Sequence, residues 1–144
     1  MHLNQYKDYA PVVVRIGISL VFLWFGLHEL TDAASFVGWL PDFITNPHGM
    51  MMGGMQMMHV NFTPLRFVYG NGIFEVVFGL LLLLGLFTRV SAFLLGIHLL
   101  GIAFSIGYNE IGVRDFGLTL ATFSIFLYGA DIWCLDRKRK KSID

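Results

Sequence analysis

Four apolar runs, each about as long as a bilayer core is thick, constrain this chain more than any other feature. They cover 12–30 ("VVVRIGISLVFLWFGLHEL"), 67–87 (dominated by "GLLLLLGLF"), 90–107 ("VSAFLLGIHLLGIAFSIG") and 116–134 ("FGLTLATFSIFLYGADIWC"). A hydrocarbon core of about 30 Å is crossed by about 20 helical residues. Lipid offers no hydrogen bonds to the backbone, so each run must satisfy its own peptide groups as a helix. The composition agrees: 56% of residues are hydrophobic and 14% charged, against roughly 25% charged in soluble domains. The expected fold is all-α, an integral membrane four-helix bundle forming one domain over 1–144. "MHLNQYKDYAP" is polar and aromatic, and no small-residue cleavage site follows the first run, so it does not read as a signal peptide.

Runs two and three are separated only by Thr88-Arg89, which predicts a tight helical hairpin. Charge sets direction. "RKRKK" (Arg137 to Lys141) carries five of the ten basic residues and belongs on the cytoplasmic side. With four spans, Lys7, Arg15 and Arg89 share that side, and only Arg66 and Arg114 lie opposite. Both termini are then cytoplasmic in a multi-pass cell-membrane protein, with a basic tail over 135–144. A long outer loop joins spans one and two. Within it, "SFVGWLPDFI" (Ser35 to Ile44) places Phe36, Trp39, Leu40, Phe43 and Ile44 at helical spacing, which predicts a short interfacial helix.

Ionisable side chains inside spans are costly and usually face the bundle interior. Here they are Arg15, His28, Glu29, Glu75, His98 and Asp131. Glu75 and His98 both fall about nine residues from the outer ends of their spans, or ~13 Å deep at a helical rise of ~1.5 Å per residue. Matched depth on hairpin neighbours predicts a Glu75–His98 hydrogen bond. Arg15 and Asp131 sit near the cytoplasmic ends of the first and last spans and are placed to pair. Glu29 and His28 fall near Arg114 and Asp115. Arg15, Ser19, Phe22, Gly26 and Glu29 share one side of span one. Gly72, Glu75 and Gly79 do so on span two, and Ser91, Leu94, His98, Gly101 and Ser105 on span three. Such stripes either neutralise one another and fix helix register or line a polar pocket for a quinone head group or a proton.

The stretch "NPHGMMMGGMQMMH" (46–59) holds six of seven methionines and two of five histidines. Its donors are His48, Met50, Met51, Met52, Met55, Met57, Met58 and His59. Thioether and imidazole ligands suit copper, with Met favouring Cu(I), and Gly53-Gly54 favours a loop able to wrap an ion. The competing reading is adaptable apolar packing or partner docking.

The chain resembles the DoxX family of small four-helix membrane proteins. The resemblance is carried by "RIGISLVFLWFGLHEL", "GIFEVVFGLLLLLGLFTRVSAFLL" and "VRDFGLTLATFSIFLYGADIW", and the Met-rich loop lies outside that core. It implies kinship with membrane subunits tied to quinone-dependent sulfur oxidation, terminal oxidases or oxidative-stress complexes. It also implies Arg15, Glu75, His98, Arg114 and Asp115 as functional positions.

Other chemistries find no support in the residues. Bis-histidine haem would need His28 and His98, which differ by about 9 Å in depth, whereas axial ligands face each other across one iron. Dithiol exchange needs a cysteine pair, and Cys134 is the chain's one cysteine. No phosphate loop, dinucleotide fingerprint or nucleophile elbow occurs. Two functional classes remain. One is a subunit of a quinone-linked redox or respiratory complex, without a redox centre of its own. The other is an accessory or assembly protein that handles copper through the outer loop, or a purely structural subunit.

Overall fold

The computed structural model describes residues 3–46 and 63–137, all of whose regular elements are helical. A 3₁₀ segment, Leu3–Tyr9, leads into α1 (Ala10–Thr31). Two short helices follow, α2 (Ala33–Val37) and α3 (Asp42–Thr45). Three long helices complete the bundle: α4 (Pro64–Leu84), α5 (Thr88–Ile106) and α6 (Glu110–Tyr128). The four long helices are long and apolar enough to cross a membrane. Large apolar side chains such as Val13, Leu20, Trp24, Ile73, Leu80, Phe104 and Leu127 are exposed on their outer faces, where lipid replaces water as the favourable neighbour.

Local signals explain the boundaries. Thr63 caps α4 by accepting from the Arg66 N–H at 3.3 Å, and Pro64 occupies the first turn, where its missing N–H costs nothing. Gly85, at φ +67°, ends α4 in the left-handed conformation, and the Leu86 N–H reaches back to the Leu81 carbonyl. The link between α4 and α5 is therefore Gly85–Phe87, and Thr88 and Arg89, read from sequence as the link, open α5. The last span also differs from expectation. It runs 110–128 rather than 116–134, because Asn109 caps its start through the Gly112 N–H at 2.9 Å and Gly129, at φ +84°, stops it. The single amphipathic helix expected at 35–44 is present in two pieces, with Pro41 as the N-cap of the second.

The helices associate as two close pairs, α1 with α4 and α5 with α6. Glycines decide this. A Cβ added at Gly26 would lie 2.9 Å from the Gly72 carbonyl oxygen and from Glu75 Cβ. One at Gly72 would lie 2.9 Å from the Gly26 oxygen and 3.0 Å from Glu29 Cβ. Such small-residue contacts are how membrane helices approach closely. On α5, Gly96 receives the Phe123 ring of α6. The hairpin neighbours α4 and α5 are joined by a short turn but packed less closely than either pair. The stripe on span one holds: Arg15, Ser19, Phe22 and Gly26 are buried. So does Gly72, Glu75 and Gly79 on α4. On α5 the buried face is instead Thr88, Ser91, Ala92, Leu95, Gly96, Leu99 and Ala103. Leu94 and His98 are half-buried, and Gly101 and Ser105 are exposed by area but, with His98, line the space between the two helix pairs. Ile18, Phe22, Leu82, Leu95, Leu99 and Ile125 form the apolar core.

The end of the bundle that carries both termini is closed by a polar clamp. Arg15, 2% exposed, donates from Nε to Asp131 Oδ2 at 2.6 Å. Its Nη1 donates to the Leu82 carbonyl at 2.9 Å and also to that of Leu83. These are carbonyls of the last turn of α4, where a cation is favoured, and that of Leu82 also accepts from the Gly85 N–H at 3.1 Å. Asp131, 1% exposed, also accepts from the Trp133 N–H at 2.8 Å. Asp136 takes the Phe87 and Thr88 N–H groups at 3.0 and 2.8 Å, capping the start of α5. Cys134, fully buried, presses on Gly85, where any Cβ would sit 2.6 Å from Cys134 Cα. Burial pushes the Cys134 thiol up from its ordinary value. For Asp131 burial also pushes upward, but the Arg15 and Trp133 hydrogen bonds and the Arg15 charge outweigh it and hold the carboxyl below its ordinary 3.8.

Breaking a buried pair leaves an uncompensated charge, at about 3–5 kcal/mol. Asp131→Ala should therefore lower the melting temperature of the detergent-solubilised protein sharply. The depressed native value also fixes the pH sign: the stabilisation is present above the unfolded value and is lost as pH falls through the native one. Melting curves taken down through pH 4 to 2 should show an acid limb that is smaller in Asp131→Asn.

Candidate functional site

A cavity of about 630 Å³ opens between the two helix pairs at the end opposite the clamp. The pairing leaves this space. Where Gly26 and Gly72 draw α1 onto α4, and Gly96 draws α5 onto α6, the seam between the pairs widens. The α2–α3 segment covers it, contributing Phe36, Trp39, Leu40, Phe43 and Ile44. These are the apolar positions that the sequence placed on one amphipathic face. The floor is polar. Glu75 and His98 meet there, with His98 Nε2 3.3 Å from Glu75 Oε1. Phe74 stacks on the His98 ring at 4.8 Å between centroids.

Glu75 is 3% exposed, and its Oε2 has no hydrogen-bond partner among the described residues. A buried acceptor left unmet costs about 1–3 kcal/mol or more, so this atom is the one unsettled polar group of the floor. Beside it on the same helix pair, Asn71 Nδ2 donates to Glu29 Oε2 at 2.7 Å. Across the cavity on α6, Arg114 donates from Nε and Nη2 to Asp115 Oδ1 at 2.9 and 2.8 Å. The Arg114 guanidinium also lies 5.5 Å over the Phe25 ring of α1, bridging the two pairs.

Arg15, Glu29, Glu75, His98, Arg114, Asp115 and Asp131 are the candidate polar positions for a quinone head group or a proton, and five of them line this cavity: Glu29, Glu75, His98, Arg114 and Asp115. Arg15 and Asp131 do not. They form the clamp at the other end, because α6 ends at Tyr128, six residues earlier than expected, and leaves Asp131 beyond its last turn, where it folds back onto Arg15. His28 is exposed, its Nδ1 bonded to the Trp24 carbonyl one turn back at 3.0 Å, and it does not share the cavity with His98. The loop donors His48, Met50, Met51, Met52, Met55, Met57, Met58 and His59 lie outside the described residues. Among the described residues, no three His, Cys, Asp or Glu side chains converge as a metal site would require. Sequence reasoning missed Asn71 and Phe74. Asn71 stands one helical turn before Glu75 and directly beside Gly72, a position that the stripe over 72–79 could have been extended to include.

A DoxX family model matches residues 10–107, which takes in α1 through α5 and stops short of α6. No curated protein and no solved structure matches the chain.

The close approach at Gly72 sets the separation of Glu29 and Glu75, so it can be tested by bulk. Gly72→Val should force α1 off α4, break the Asn71–Glu29 hydrogen bond and destabilise the detergent-solubilised protein by about 1–3 kcal/mol or more. Gly17→Val, where a Cβ meets nothing within 4 Å, is the matched control and should melt close to wild type.

Proposed function

The chain belongs to the DoxX family, and on that premise we propose that it is a membrane subunit of a quinone-linked redox or respiratory complex, contributing a quinone pocket rather than a redox centre. The observation that carries this reading is the cavity's division into an aromatic cover and a polar floor with one unmet atom, Glu75 Oε2. Ligand pockets generally span about 300–1,000 Å³, mostly apolar with a few convergent polar groups. A flat, ring-bearing, lipid-soluble molecule suits that division. Ile97, half exposed on the lipid-facing surface, is also part of the cavity wall, so a membrane-borne ligand has a lateral way in.

When bound, a quinone supplies two-electron, two-proton chemistry. The chain's own residues would hold its head group and manage the protons. Glu75 and His98 are one hydrogen bond apart, so a proton placed on one can pass to the other. Trp39, Phe36 and Phe43 would keep water from the floor. The clamp of Arg15 and Asp131, with the packed core above it, separates that floor from the end bearing the termini. Protons would therefore exchange through the end that carries the loop. We place that end outside the cell membrane from the charge distribution. This arrangement assigns the chain a supporting role beside partner subunits that carry the electrons.

Trp39 makes the pocket observable. Titrating a short-tailed benzoquinone into the detergent-solubilised protein should give saturable quenching of tryptophan fluorescence, reduced by more than half in Trp39→Phe. Quenching that is linear in quinone, or unchanged in that variant, would sink the reading. Purification in mild detergent should retain the partner subunits.

The Met-rich stretch favours a second, compatible role in copper handling, carried by its eight thioether and imidazole donors. Replacing the six loop methionines with leucine should abolish Cu(I) binding, measured by competition with a colorimetric chelator, at similar hydrophobicity. Undiminished binding would assign any copper elsewhere.

A further inference from the structure

The hydrogen-bond inventory of the buried floor of the cavity is one-sided. Asn71 spends a donor on Glu29, Arg114 turns Nε and Nη2 onto Asp115, and His98 Nε2 faces Glu75 Oε1. Ser105 donates to the Gly101 carbonyl of its own helix at 2.8 Å. Arg114, Asn71 and Trp39 keep further N–H groups at the wall and cover of the cavity, but the buried floor formed by Glu75 and His98 has no such donor to spare. What the floor still offers is an acceptor, the buried and unpartnered Glu75 Oε2. A carboxylate oxygen accepts only. The atom that completes this site must carry a hydrogen.

A quinone and its reduced form differ in this respect. The oxidised head group presents two carbonyl oxygens, both acceptors, and would set acceptor against acceptor at Glu75. The reduced head group presents two phenolic O–H groups, each a donor. We infer that the cavity selects the reduced, dihydroxy form of an aromatic head group, whose O–H donates to Glu75 Oε2. This rests on the quinone reading given above and adds the redox form to it. Binding alone is inferred, with no electron transferred in the pocket. The aromatic cover treats the two forms alike, because both rings are flat and of similar size. The discrimination therefore falls on the one floor atom. Specific sites built to satisfy a hydroxyl reject analogues lacking it, because a buried group is then left unpaired.

The test compares affinities in the intact protein. Isothermal titration under anaerobic conditions would measure binding of decyl-substituted benzoquinone and of its reduced hydroquinone to the detergent-solubilised full chain. The hydroquinone should bind about tenfold or more tightly, the size of one hydrogen bond to a charged acceptor. Glu75→Gln places an N–H donor where the acceptor stood, and the preference should fall to parity or reverse toward the oxidised form. Equal or tighter binding of the oxidised form by wild type would overturn the inference while leaving the quinone pocket intact. A wild-type preference that Glu75→Gln leaves unchanged would also overturn it. If neither form binds wild type, the quinone reading itself fails. The wild-type comparison stands even if the variant does not fold. Glu75→Asp then serves as the second variant: it keeps an acceptor and should keep the direction of the preference.

Discussion

A guanidinium cannot be taken out of water without compensation, and the placement of Arg15 organises the rest of this molecule. Its desolvation is worth several kcal/mol even after relaxation, so a buried arginine stays only where partners surround it. Here they come from three separate parts of the chain: the carboxylate of Asp131, the last carbonyls of α4, and the packed wall of α1 itself. Meeting that demand brings the segment after α6 back across the bundle. Once there, the segment delivers Asp136 to the start of α5 and Cys134 to the concave side of Gly85. One charge thereby ties the ends of all four spans together.

The opposite end is organised by contact rather than charge. Glycines bring helices together in twos, and the seam between the pairs is left unfilled. Side chains that a bilayer would exclude find room in that seam. Glu29, Glu75, His98, Arg114 and Asp115 sit around a cavity because no other part of the bundle offers them neighbours. Arg114 serves both purposes, holding Asp115 with one edge while its face lies over Phe25. The same architecture thus gives one end closed by a buried ion pair and one end that keeps a cavity between its helices.

Much of this was legible in the residues. Run lengths and hydropathy specified four spanning helices, and depth counting paired Glu75 with His98 and Arg15 with Asp131. What escaped was what depends on rotation about a helix axis. The stripe assigned to α5 is divided between the packed face, which takes Ser91, and the cavity wall, which takes His98, Gly101 and Ser105, while Gly96 meets the Phe123 ring in a contact between distant residues that spacing within one helix does not encode. The end of α6 escaped for a related reason. "YGADIWC" is apolar enough to read as membrane, yet Gly129 ends the helix and Asp131 is more useful folded back onto Arg15 than continued along the axis. The polar groups were foreseen. That the space around Glu75 and His98 stays open under an aromatic cover was not, because that opening follows from which helices pair.

The seating of Cys134 has a practical corollary for spectroscopy. It is the chain's one cysteine, it is fully buried against Gly85, and burial keeps its thiol protonated. Thiol reagents attack thiolates that they can reach, so this sulfur is shielded twice over. A cysteine introduced at an exposed position of α2 or on the rim of the cavity would be the reactive one in the folded protein, with no need to remove the native residue. Spin or fluorophore labels could then follow the cover over the seam in an otherwise unaltered chain. Cys134 would become reactive only when the clamped end comes apart, so its labelling would report unfolding of that end.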